Sequence, residues 1–234
     1  MHHDVNNSSV ILFRQYSFSY RKGSPVLQDI SFQMDAGNHT ALFGLNGSGK
    51  STLLRSIVGL HRGEGTIQVG GEEVKPGNLK SIRRKVGYLF QDPQVQLFCP
   101  TVIEDVAFGP ANYHGDEGRA RLEAEEALEA VGYRGELFAP CHKLSLGEMR
   151  KVALAGVLAL NPEVLLLDEP DSFLDSRGKE MLVNILRELD DMTLFLVTHN
   201  RDFASALCQR ALVLQEGRIG YDGPLEDIPP SAKI

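Results

Sequence analysis

Residues 41–58 read ALFGLNGSGKSTLLRSIV, and the rest of the chain is organised around them. Within this stretch Gly44, Gly49, Lys50 and Ser51 satisfy the pattern G-x-x-x-x-G-K-[ST], with an apolar strand-like run before it and a helical pattern after it. The spacing has a physical reason. Glycines let successive backbone N–H groups turn inward around phosphate oxygens, and the following helix points its positive end at them. In such a loop Lys50 reaches the β and γ phosphates and the Ser51 hydroxyl ligates Mg²⁺, while Asn46, Gly47, Ser48 and Thr52 complete the cradle. The alternative, an accidental glycine-rich turn, arises in about one chain in a hundred of this size. The strand and helix on either side argue against it.

Toward the N-terminus, 11–20 is rich in β-forming residues, and Ile30, Phe32 and Met34 alternate with polar Ser31, Gln33 and Asp35. This predicts two antiparallel strands. Beyond Gly37, residues 39–44 form the buried strand that feeds the phosphate loop, and 50–60 is its helix. Gly63, Gly65, Gly70 and Gly71 bracket another short strand at 66–69, so the N-terminal part is a mixed sheet with an antiparallel β subdomain.

From Lys85 the pattern changes. VGYLF, 86–90, reads as a buried strand that stops at Gln91-Asp92-Pro93, where proline forbids simple continuation of a ladder. Residues 102–113 and 116–131 read as helices, the second with Ala124, Ala127, Leu128 and Val131 on one face. After Pro140 come Leu144-Ser145-Leu146-Gly147-Glu148 and a helical run over 149–160, stopped by Asn161-Pro162. The predicted organisation is a helical subdomain, 91–160, inserted into a sheet-based core of 1–90 and 161–234.

The core resumes with Val164-Leu165-Leu166-Leu167 and ends in Asp168-Glu169-Pro170. Acids at the carboxyl end of a buried parallel strand lie where nucleotide sites form in open α/β sheets. The alternative is that both acids cap the next helix. A second such strand, 193–197, delivers Thr198-His199-Asn200 to the same edge. Residues 212–223 read as a closing hairpin across Glu216-Gly217, and 224–234 as a weakly structured tail.

Bulk properties narrow the function. At 234 residues the chain can bury a sizeable core without staples. Its net charge of -7 argues against a sequence-independent grip on nucleic acid, and the tight basic run Arg83-Arg84-Lys85 reads as a solvated helix face. Cys99, Cys141 and Cys208 are widely spaced and odd in number, which suits a reducing cytosol rather than a disulfide framework or a metal knuckle. No run approaches the roughly 18 apolar residues of a membrane span, and the first ten residues lack an export signal. His2 and His3 could bind a metal, but a floppy polar terminus is the simpler reading.

The ordered set of phosphate loop, Gln91, LSLGE, apolar strand with Asp-Glu, SFLD and THN resembles the ATP-binding subunit of ABC transporters over essentially the whole chain. The resemblance implies an α/β fold with a P-loop ATPase core, ATP and Mg²⁺ as cofactors, and a head-to-tail dimer. By resemblance Tyr20 stacks on adenine, Asp168 holds Mg²⁺ through water, and Glu169 is the general base. Gln91 senses the γ-phosphate, metal and water, and His199 holds the γ-phosphate and braces the water. Ser145 and Gly147 of the signature meet the γ-phosphate held by the opposite subunit, and Asp175 reaches across to that subunit. Two departures stand out: Leu146 where the family usually has glycine and Glu148 where it usually has glutamine. If position 146 needs positive φ, leucine costs about 1–2 kcal/mol there.

The segment Phe90-Gln91-Asp92-Pro93-Gln94-Val95-Gln96-Leu97-Phe98, followed by Glu104-Asp105-Val106-Ala107-Phe108-Gly109-Pro110, resembles the energy-coupling-factor (ECF) branch, the micronutrient importers. The resemblance implies that Asp92, Pro93, Gln96, Leu97 and Phe98 border a groove for a transmembrane scaffold protein, with a separate membrane subunit choosing a cargo such as biotin, cobalt or nickel. It implies a peripheral protein on the cytoplasmic face of the membrane, with a homodimer favoured and no nucleic acid partner. Three alternatives remain: an ATPase of another ABC transporter class whose coupling loop happens to share D-P-x-x-Q, a soluble ABC ATPase acting on nucleic acid or ribosomes, and a P-loop small-molecule kinase.

Overall fold

The computed structural model describes residues 9–21, 23–189 and 192–232; His2 and His3 lie outside them. Ten strands run in chain order: β1 (Ser9–Arg21), β2 (Ser24–Asp35), β3 (Thr40–Phe43), β4 (Glu64–Val69), β5 (Glu72–Glu73), β6 (Val86–Leu89), β7 (Val164–Asp168), β8 (Thr193–Val197), β9 (Arg210–Gln215) and β10 (Arg218–Pro224). The α-helices are α1 (Lys50–Ile57), α2 (Leu79–Lys85), α3 (Val102–His114), α4 (Glu117–Ala130), α5 (Leu146–Leu158), α6 (Ser176–Arg187) and α7 (Arg201–Ser205). The chain forms two compact units, one of Met1–Val86, Glu163–Glu169 and Asp191–Ile234, the other of Gly87–Pro162 and Pro170–Asp190. From sequence the boundaries fall at 91 and 160, so α6 groups differently.

In the first unit β2-β1-β4-β5 make an antiparallel sheet, with Phe13 opposite Phe32 and their rings stacked at 4.8 Å. Along β2, Ile30, Phe32 and Met34 are buried while Ser31 and Gln33 are exposed, as the period-2 alternation requires. The second sheet of this unit runs β10-β9-β3-β8-β7, parallel except for the β9/β10 hairpin. Both β7 and β8 are buried along their whole length, which is why they read as unbroken apolar runs rather than alternations. The hairpin turns at Glu216 and Gly217, φ 48 and 76, the left-handed pair a two-residue turn needs.

The tail departs from its sequence reading: β10 continues to Pro224, and the turn Leu225–Asp227 with Ile228 buries Leu225 and Ile228. The Leu225 N–H also donates to the Gln209 carbonyl at 2.8 Å, a contact that no local pattern announces.

The second unit is built on α3, α4 and α5, which bury Val102, Val106, Ala120, Ala124, Leu128, Val152 and Ala155. Three of its helices start at side-chain caps: α4 at Asp116, α5 at Ser145 and α6 at Asp175. Because Ser145 caps, α5 begins at Leu146, three residues earlier than the Ala- and Leu-rich run suggests. All three cysteines are free thiols.

Candidate active site

Three parallel strands end on one edge of the first unit's sheet. Leu42 of β3 pairs with Val197 of β8 and Leu212 of β9, and Asp168 of β7 also pairs with Val197. The segments that leave these ends, 44–49, Glu169 and 198–200, therefore emerge together, where open α/β sheets bind ligands.

The loop after β3 is shaped by its glycines. Gly44, Gly47 and Gly49 have φ of 149, 79 and 108, and a Cβ on Gly44 would collide with the carbonyl oxygen of Leu214. The Ser48 hydroxyl is buried with no hydrogen-bond partner among the described residues, so the loop offers a donor that its own chain leaves unused. Lys50 opens α1; its Nζ donates to the carbonyls of Gly44 at 2.7 Å and Leu45 at 3.2 Å. Burial pushes the Lys50 pKa down, and the carboxylates of Glu169 and Asp168 oppose that shift. The residues fit a bound nucleotide triphosphate.

The Ser51 hydroxyl donates to Asp168 Oδ1 at 3.1 Å, and Asp168 is buried. No group of three or more His, Cys, Asp or Glu among the described residues could hold a metal by itself. A divalent cation at Ser51 and Asp168 would complete its shell with phosphate oxygens and water, the coordination habit of Mg²⁺.

Glu169 sits just beyond β7 with φ 48, a left-handed backbone that costs a non-glycine residue about 1–2 kcal/mol. Its N–H donates to the Val197 carbonyl at 2.9 Å, which fixes that turn, and its Oε1 lies 3.3 Å from His199 Nε2. The acids do not cap the next helix; Asp175 does, accepting from Gly178 N at 2.7 Å. Tyr20, 57% exposed, sits with its hydroxyl 3.1 Å from both Thr52 Oγ1 and His61 Nε2. His61, edge-on to Tyr20 with ring centroids 5.1 Å apart, was not visible as a site neighbour from sequence.

The structure thus gathers Tyr20, Lys50, Ser51, Thr52, Asp168, Glu169 and His199 in the first unit, with Asn46 and Gly47 exposed on the loop. Gln91, Ser145, Gly147 and Asp175 belong to the second. There Ser145 and Glu148 form a capping box: the Ser145 N–H and hydroxyl donate to Glu148 Oε2 at 2.9 and 2.6 Å, and the Glu148 N–H donates back at 3.3 Å. The Ser145 hydroxyl and then its N–H hold the Glu148 carboxyl below the usual carboxylate range. A depressed folded-state pKa supports folding above the unfolded value, so this cap loosens only as pH falls through the lowered one. Leu146 is a helical residue and is not among those with positive φ, so the expected left-handed penalty does not arise. Leu146→Gly is therefore expected to lower stability, by less than about 1 kcal/mol in a thermal melt, instead of relieving strain.

Past Gln91, Asp92 caps the short turn Pro93–Val95, accepting from Gln94 N at 2.9 Å. Gln96 points inward, its Oε1 accepting from Phe90 N at 3.0 Å, while Val95 and Phe98 are 71% and 65% exposed. Asp105, buried, accepts from Phe98 N at 2.8 Å and Cys99 N at 2.7 Å and so fixes the end of this loop. A groove of about 490 Å³ beside it is lined by Gln94, Leu97, Phe98, Cys141, His142 and Met149.

A phosphate loop, a buried aspartate, the glutamate after it and a histidine on one sheet edge are the layout of a P-loop nucleotide hydrolase. The ABC transporter family matches residues 27–172, and the chain belongs to that family; it is an ATPase of the ABC type. It is 48% identical over 211 residues to a Streptomyces coelicolor protein named for ATP binding in an ABC transporter, covering 89% of this chain and 80% of that one. It is 42% identical over 220 residues to the ECF transporter ATP-binding protein EcfA2 of Halalkalibacterium halodurans, covering 88% of this chain and 78% of the relative. Among solved structures, cbiO1 of Clostridium perfringens, part of the ABC transporter complex cbiONQ, superposes with a TM-score of 0.83 at 32% identity, covering 94% of this chain and 90% of that one. The α/β ABC ATPase fold expected from sequence is the fold observed.

Proposed function

We propose that this chain is the ATP-hydrolysing motor subunit of an ECF-type importer for a micronutrient, a vitamin such as biotin or a metal such as cobalt or nickel. The observation that carries the catalytic half is the meeting of Lys50, Ser51, Asp168, Glu169 and His199 at one sheet edge. Phosphoryl transfer asks mainly for positioning and charge neutralisation. Lys50 and the loop N–H groups hold the triphosphate, Glu169 accepts the proton of the attacking water, and His199, 3.3 Å from that carboxylate, holds the γ-phosphate and braces the water with it. Ser51 and Asp168 would hold Mg²⁺, which would supply charge neutralisation for the phosphates.

Two copies complete each other in this reading. Ser145 and Gly147, exposed at the start of α5, present a helix amino end to the nucleotide of a second subunit, and Asp175 faces the same interface. A related cassette, MJ0796, 27% identical with a TM-score of 0.82, was solved as a dimer bound to ADP and Pi. Glu148 sets a negative charge beside that helix end. Glu148→Gln keeps the capping box and removes the charge, worth about 1 kcal/mol at close range in water, so KM for ATP is expected to fall about fivefold with kcat unchanged. An unchanged or higher KM in a steady-state ATPase assay would count against placing Ser145 on the triphosphate.

The ECF half rests on Asp92-Pro93 opening a short turn that leaves Val95 and Phe98 outward beside a groove. The protein then lies on the cytoplasmic face of the membrane, with a scaffold protein in that groove and a substrate-binding membrane subunit beyond it. A cysteine at Val95, expressed with the membrane subunits, is expected to crosslink to a scaffold helix, whereas one at Arg121 is not. Equal labelling from both positions would refute the docking surface. No helix among the described residues is long and apolar enough to cross a membrane.

A further inference from the structure

Arg150 is a buried cation that the catalytic scheme above does not use. It lies on α5, five residues after Ser145, and is 5% exposed. Its Nη1 donates to the carbonyl of Pro170 and its Nη2 to the carbonyl of Gln91 at 3.3 Å. Burial lowers its pKa, while Asp171 and Asp92 act against that loss. Lys179 also reaches Asp171, at 3.9 Å, so Arg150 shares that carboxylate. Nothing in the sequence pattern marks it: it reads as one more polar residue in a helix. An arginine seldom goes fully under cover unless its fork is filled, and here the fork is filled by two backbone carbonyls from separate loops.

Those two carbonyls identify its work. One belongs to Gln91, the residue read as sensing γ-phosphate and metal. The other belongs to Pro170, joined by a peptide bond to the base Glu169. We propose that Arg150 is a positioning residue that ties α5 to the backbone at Gln91 and at Pro170, so that the seating of Ser145 on a second subunit's nucleotide is felt at both. This rests on the function proposed above. A planar guanidinium can hold both carbonyls at once with its geometry fixed, whereas an ammonium is a single point of charge. Nucleotide binding to the phosphate loop does not pass through Arg150; turnover and the coupling between two sites do.

The test is Arg150→Lys in the full chain, assayed beside the wild type and Glu169→Gln for ATP-analogue affinity, thermal stability and steady-state ATP hydrolysis. The expected result is nucleotide affinity within twofold of wild type, kcat down about tenfold, and a Hill coefficient for ATP lowered toward one. Arg150→Met, which removes the charge but keeps most of the apolar stem, is expected to lose kcat at least as strongly and to melt earlier. The inference is overturned if Arg150→Lys keeps the wild-type kcat and Hill coefficient, or if affinity and kcat fall by the same factor. If Arg150→Lys does not fold, Arg150→Met decides by the same criteria, and failure of both to fold assigns Arg150 a structural role and overturns the inference. Wild-type turnover in Glu169→Gln would instead overturn the underlying reading of the site, so the two failures are distinguishable.

Discussion

Glu169→Gln is expected to lower ATP turnover by about 10²–10⁴-fold while leaving nucleotide affinity within a few-fold of wild type. The amide keeps the size and the left-handed backbone of the carboxylate, including the N–H bond to Val197 at 2.9 Å, but cannot take a proton from water. Because hydrolysis also ends the bound state, the same variant is expected to accumulate as an ATP-stabilised dimer, visible by light scattering with and without ATP. His199→Ala leaves the base in place but removes its partner at 3.3 Å, so a smaller loss is expected, with both variants read in one phosphate-release assay. Turnover at the wild-type rate in Glu169→Gln would remove the base from the mechanism.

Lys50→Ala is expected to weaken ATP binding by about 10²–10³-fold, since it takes a buried charge from between the triphosphate and two carboxylates. The Lys50 ammonium already faces Asp168 and Glu169, which oppose the effect of burial on its pKa. Without it, a highly anionic ligand must approach those acids unaided. The variant also leaves the Gly44 and Leu45 carbonyls without their present donor, at a cost of about 1–3 kcal/mol, although water can reach the more exposed of the two. Titration with a fluorescent ATP analogue and a thermal melt separate the effects. Affinity within twofold of wild type would show that Lys50 does not touch the phosphates.

Much of the core was legible in the chain because its signals are local. The glycines at 44, 47 and 49, the unbroken apolar runs of β7 and β8, and the alternation along β2 each express one short-range rule of sterics or burial, and each element was found where its pattern placed it. The α5 start at Leu146 was misplaced because the helical propensity of 149–160 is stronger than that of Leu146-Gly147-Glu148, and only the Ser145–Glu148 capping box extends the helix backward. Leu146 shows the opposite limit: its departure from the family glycine was visible, yet its consequence depended on a φ that sequence does not print.

By itself the sequence determined the phosphate loop with Lys50 and the apolar strands whose ends carry Asp168, Glu169 and His199, because spacing and burial pattern encode these; the roles of the last three follow from the family resemblance. Only the tertiary structure decided that Glu169 meets His199 at 3.3 Å, that Gln96 turns inward while Val95 faces out, that His61 stands against Tyr20, and that Arg150 closes its fork on Gln91 and Pro170. The reason is physical: each of these is a contact between residues far apart in sequence or a choice of side-chain direction, and both are fixed by packing, which no local pattern records.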